Sequence, residues 1–185
     1  MRLRLLIAAL PLTLIACATS LRRDAEPAPA PPALAPPAAI SPRSAAQVIR
    51  AAYGAREATL RTAIEVDADS VRVVGVSATG QRLFSARYDG RAISAERSAF
   101  VPADIAPERV LADMQLALWP LAAVQAAARA TDATVTEPFA GVRRLRRGDR
   151  LVAEVHYGSA DPWNGRLWFV NLEFGYTLTI DTTPN

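Results

Sequence analysis

The chain has 185 residues, 51% of them hydrophobic, with 21 basic and 18 acidic side chains and a formal net charge of +3. Every basic residue is an arginine, and the near balance of charge gives no general case for nucleic-acid binding. One cysteine excludes an intrachain disulfide and a thiolate metal cluster, and one histidine, His156, leaves a thin inventory for catalysis.

Arg2 and Arg4 precede an apolar run from Leu5 to Ala16 that ends at Cys17. Broken by Pro11, the run falls short of the roughly 20 apolar residues a bilayer span needs, and its order is that of a secretory signal over residues 1–16. Leu14, Ile15, Ala16 and Cys17 resemble the lipobox of bacterial lipoprotein precursors. The resemblance implies that Cys17 is lipidated and exposed by cleavage. Ala18 stands where an aspartate would imply inner-membrane retention, so an outer-membrane, periplasm-facing location is expected. Without Arg2 and Arg4 the mature chain carries 19 arginines against 18 acids, a balance of +1. Residues 17–43 read as the lipidated cysteine and a tether, because residues 24–42 hold seven prolines among alanines. At about 3.1 Å per residue, such a chain reaches roughly 50–80 Å. One domain is expected over residues 44–185.

That domain opens with period-two alternation: Leu60, Thr62, Ile64 and Val66 point one way, Arg61, Ala63 and Glu65 the other. A second strand runs from Val71 to Val76, and a turn at Thr79 and Gly80 leads into Leu83 to Tyr88. Asp89 and Gly90 predict a two-residue type I′ turn that pairs Arg91 to Arg97 back on the preceding strand. From Pro107 to Trp119 the period becomes helical, with Val110, Leu111, Met114 and Leu118 on one arc. Pro120 breaks this helix, and Leu121, Val124 and the alanines to Ala130 predict a second. Arg143, Arg144, Arg146, Arg147 and Arg150 surround a hairpin tip at Gly148 and Asp149, either solvated or contacting anionic lipid headgroups. Strands resume over Leu151 to Tyr157, Arg166 to Glu173 and Tyr176 to Ile180.

Strands, a helical insertion and more strands predict an α+β fold, a curved antiparallel sheet with helices on its concave face. The stretch from Val74 to Phe84, the Tyr88-Asp89-Gly90 turn, the run from Leu116 to Pro120 and the closing Tyr176 to Ile180 resemble a family of uncharacterised bacterial lipoproteins. That family is similar in architecture to the LolA and LolB lipoprotein carriers, a half-open β-barrel closing over a helical lid. Relatives beside genes for aryl polyene lipids imply a role in envelope-lipid traffic. The resemblance implies a cavity that takes a lipid or acyl chain.

Its candidate lining is Leu60, Ile64, Phe84, Val110, Met114, Leu118, Trp119, Leu121 and Trp168, with Trp119 at a proline break where a lid would hinge. The aromatics Trp163, Phe169, Tyr157 and Tyr176 suit either a cavity wall or an ordinary core. Catalysis is not expected. His156 alternates within a strand as a half-exposed structural residue, no Gly-x-Ser-x-Gly elbow occurs, and Asp67 and Asp69 suit a turn. No cofactor or metal is expected. The expected partners are the membrane, through the anchor, and a hydrophobic lipid or acyl ligand; the alternative is a structural module recruiting another envelope protein.

Overall fold

The computed structural model describes residues 33–99, 101 and 106–185. The expected signal at 1–16, Cys17 and the tether up to residue 32 lie outside the described residues. Ten strands follow in order, β1 (Arg43–Tyr53), β2 (Arg56–Val66), β3 (Val71–Ser77), β4 (Arg82–Tyr88), β5 (Ile93–Arg97), β6 (Ala133–Phe139), β7 (Val142–Arg147), β8 (Arg150–Tyr157), β9 (Gly165–Asn171) and β10 (Tyr176–Pro184). Between β5 and β6 stand two helices, α1 (Pro107–Leu118) and α2 (Leu121–Ala128). All strands join one antiparallel sheet in the order β5-β4-β3-β2-β1-β10-β9-β8-β7-β6, and its two end strands do not pair with each other.

The sheet has to curve, and α1 shows by how much. Twelve helical residues span about 18 Å. From β5 to β7 is eight strand spacings, about 38 Å if flat. Yet α1 touches β4 and β5 and also accepts hydrogen bonds from Arg143 on β7 and Tyr157 on β8. The expected architecture, an unclosed curved sheet with helices in its hollow, is the one the chain forms.

The concave face follows the alternation read from sequence. Ile64 and Val66 on β2, Val71 and Val73 on β3, and Phe84 and Ala86 on β4 are buried, as are Leu167 and Phe169 on β9. The Phe84 ring sits against Gly75, where a Cβ would lie 2.3 Å from it, so any larger residue there would have to displace the ring. The described residues form one compact unit with its own hydrophobic core.

Three expectations need correction. The turn at Asp89 is not type I′: Tyr88 pairs with Ile93, so four residues form the loop, and only Gly90 takes positive φ, at 84°. Asp89 Oδ1 accepts from the N–H of Arg91 and Ala92, a side-chain turn that keeps the aspartate at negative φ. The tether does not extend to residue 43. Ala35 is buried, Leu34, Ala39 and Ile40 pack on the core, and Gln115 holds Ala35 through both its N–H (2.7 Å) and its C=O (3.0 Å). A side-chain amide can satisfy both backbone groups at once, which makes residues 33–42 a strap on the domain. Finally, Trp168 does not face the hollow. It pairs with His156 and Thr179 on the outer face and is 44% exposed.

Candidate functional site

The helix break at Trp119–Pro120 exists as expected, but it is pinned. The last four carbonyls of a helix lack intrahelical partners. Here three side chains from the sheet side take all four: Arg143 Nη1 donates to Leu116 O and Trp119 O at 2.7 Å each, Tyr157 Oη to Ala117 O at 2.8 Å, and Trp163 Nε1 to Leu118 O at 3.0 Å. Arg143 is 5% exposed, and its Nε and Nη2 donate to Glu137 at 2.9 and 2.7 Å. A cation against the negative end of the helix dipole adds to this capping. Burial pushes the Tyr157 hydroxyl up to about 12, so it stays a donor at physiological pH. A lid swinging at Pro120 would break this whole set.

Beside the corner opens a cleft of about 700 Å³. It is lined by the strap residues Ala38 to Ser41, by Leu118, Trp119 and Pro120 at the helix corner, by Pro162 and Trp163, and by Arg43, Arg143 and Asp161. Arg43 stacks over the Trp163 ring at 5.2 Å, and Trp163 meets Trp119 with ring centroids 5.8 Å apart. Trp119 itself is fully buried, and its Nε1 has no hydrogen-bond acceptor among the described residues.

Of the nine candidate lining residues, this cleft brings together Leu118 and Trp119. Ile64, Phe84 and Met114 are buried in the common core, and Leu60, Val110 and Leu121 pack against it. They fill the hollow of the sheet. The helix stripe and the strand alternation had identified the inner surface correctly, but a packed interior uses the same residue types as a cavity wall.

The arginine run divides. Arg143 is a buried cap, while Arg144 pairs with Glu154, Arg147 with Asp132 and Glu173, and Arg150 with Glu173, each of these three keeping part of its side chain exposed. His156 is half-exposed and bonds Glu154 at 2.5 Å on the outer face, away from the cleft.

At the other end of α1 lies a polar cluster the sequence did not flag. The Tyr176 hydroxyl donates to Asp113, Asn171 Nδ2 donates to the Tyr176 hydroxyl at 3.1 Å, and Arg109 lies over the Phe174 ring. Burial pushes the Asp113 carboxyl up to about 7, opposed by the Tyr176 hydrogen bond, then by the Arg109 charge and Asn171. The folded state therefore holds this proton more tightly than the unfolded chain does. Its stabilising contribution is full below about pH 4 and is lost as pH rises through 7. Asp113→Asn should accordingly stabilise the domain at pH 8 by about 1–2 kcal/mol relative to wild type. At pH 4 that advantage should vanish. Thermal melts of both proteins at the two pH values check it, and a difference independent of pH would refute it.

Among the described residues no helix is long and apolar enough to cross a membrane. A comparison with curated proteins finds no match. Among solved structures the chain is similar to a DUF1329 family protein from Desulfovibrio piger, at 10% identity and a TM-score of 0.35, over 78% of this chain and 85% of that one. Residues 44–184 match the family described as protein of unknown function (DUF3261), a span that takes in both helices and every strand but for Arg43 at the start of β1. Because that match covers most of the chain, the chain belongs to the DUF3261 family.

Proposed function

We propose that this is a lipid-anchored lipoprotein of the outer membrane, facing the periplasm, that binds a hydrophobic envelope component by shape and burial and not by chemistry. Lipidation at Cys17 supplies the anchor in this reading. The observation that supports it most directly is the cleft beside the helix corner. Its size falls in the range of small-molecule sites, and its lining is mixed, Ile40 and Pro162 standing with Ser41, Arg43, Arg143 and Asp161. In this reading an amphiphile lays its chain along Ile40 and Pro162 and its anionic end against Arg43. The protein is taken as non-enzymatic, since the one histidine is engaged on the opposite face.

A second reading, recruitment of another envelope protein, is favoured by the interior. Leu111, Trp119, Val155 and Phe169 have no exposure, so the hollow between α1 and the sheet is filled. Native mass spectrometry of the protein purified from cells separates the two. The binding reading expects a co-purified lipid that Ile40→Glu, at the cleft wall, removes without loss of fold. Lipid-free protein that also fails to bind a fluorescent fatty acid would sink it in favour of recruitment. Palmitate labelling of wild type, absent in Cys17→Ser, and recovery in the outer-membrane fraction are expected for the anchor.

A further inference from the structure

One file of side chains crosses the outer face of the sheet and takes no part in the core or the cleft. Phe139 pairs with Val142, Val142 with His156, and His156 with Trp168; the file continues through Thr179 to Arg50. Directly paired residues share a face, so the stretch from Phe139 to Trp168 is one band about 14 Å wide. Phe139 is 64% exposed and Trp168 44%, whereas Trp119 and Trp163 are 0% and 4% exposed. Aromatic surface of this kind, left in water beside charged groups, marks a contact site.

The charge around the band points to the partner. Arg144 stacks on Phe139 at 5.7 Å and pairs with Glu154, while Arg50 and Arg166 share the single carboxylate of Asp181. Three guanidiniums thus stand against two carboxylates, and the frame is net positive. Arginine matches phosphate with a planar fork of donors, and tryptophan settles at the boundary between hydrocarbon and headgroups. The band lies on the open outer face of the sheet. We propose that this face docks on the surface of an anionic phospholipid bilayer, with Phe139 and Trp168 entering the interfacial layer and Arg50, Arg144 and Arg166 meeting phosphates. The contact uses neither Cys17 nor the cleft, so it stands or falls apart from the function proposed above.

The test uses the unlipidated chain from residue 18, which retains every described residue and the whole core. It is mixed with vesicles of phosphatidylcholine containing about a third phosphatidylglycerol, their acyl chains brominated to quench tryptophan on contact. The emission of Trp168 is obtained as wild type minus Trp168→Thr. It should fall by about half on these vesicles and stay unchanged on pure phosphatidylcholine. Co-sedimentation should weaken about tenfold in Phe139→Ser/Trp168→Thr and in Arg50→Gln/Arg166→Gln. The second pair changes only exposed polar side chains and keeps the test valid if the first pair disturbs the fold. Absence of vesicle binding overturns the proposal. So does binding that leaves Trp168 unquenched, or quenching that persists in Trp168→Thr, which would place the contact at Trp163 in the cleft. A dimer in solution that Phe139→Ser/Trp168→Thr dissolves would make the band a surface for a second copy of the chain and would equally overturn it.

Discussion

Arg143→Met should cost the domain about 3–5 kcal/mol and lower its melting temperature by roughly 10 °C or more. Methionine fills much of the same space, so the loss is not one of volume. It removes the donor to Leu116 O and Trp119 O and the ion-pair partner of Glu137, the partly exposed carboxylate turning to water while the two carbonyls stay buried. A buried acceptor left unmet carries its full desolvation cost. Arg143→Lys should rescue little of this. An ammonium is a point donor, and no single position lets it reach both carbonyls and the carboxylate that three guanidinium nitrogens now serve. Tryptophan fluorescence should report the damage early, because Trp119 and Trp163 both border the corner that Arg143 holds. Thermal melts of the two variants decide it, and a loss below about 1 kcal/mol in Arg143→Met would show that the cap is not needed.

Arg143 also shows where sequence reading stopped. Alternation is visible when one face is apolar, as in β2, where Thr62, Ile64 and Val66 are buried and Arg61, Ala63 and Glu65 are exposed. In β7 arginine occupies both faces. Arg143 points in and Arg144 out, and nothing in Val-Arg-Arg-Leu-Arg-Arg distinguishes the buried one. What decides it is the position of the α1 terminus, set by contacts more than twenty residues away in sequence. The strap has the same cause: Pro36 and Pro37 read as tether by composition, and the packed segment comes from Ala35, Ala39 and Ile40 meeting the core and from Gln115 on α1 bonding Ala35. The helices and most strand runs, by contrast, were legible because period and breakers are local. Trp168 sits between these cases. Its strand was identified but its face was not, since large apolar residues flank it on both sides, Leu167 and Phe169 being the ones that turn inward.

Trp119→Ala should prove as severe as the loss of Arg143, at about 3–5 kcal/mol, and not the fold-neutral change that a residue at a mobile hinge would allow. The indole is wholly buried, ends α1 and packs against Trp163, so truncation opens a large void at the corner where the helix, strap and sheet meet. Trp119→Phe should behave differently. The ring contact with Trp163 is largely kept, and the lost N–H has no acceptor among the described residues, so no hydrogen bond is sacrificed. Relieving a buried unmet donor offsets part of the smaller ring, and the net cost should stay within about 1–2 kcal/mol. This pair separates two roles of the same residue. A core role predicts that Trp119→Phe melts near wild type and carries whatever lipid wild type carries. A direct polar contact from Nε1 to a bound molecule predicts a folded Trp119→Phe protein that has lost its lipid, read by circular dichroism and native mass spectrometry on one preparation. The geometry favours the first outcome, because the indole is wholly buried and packs against Trp163.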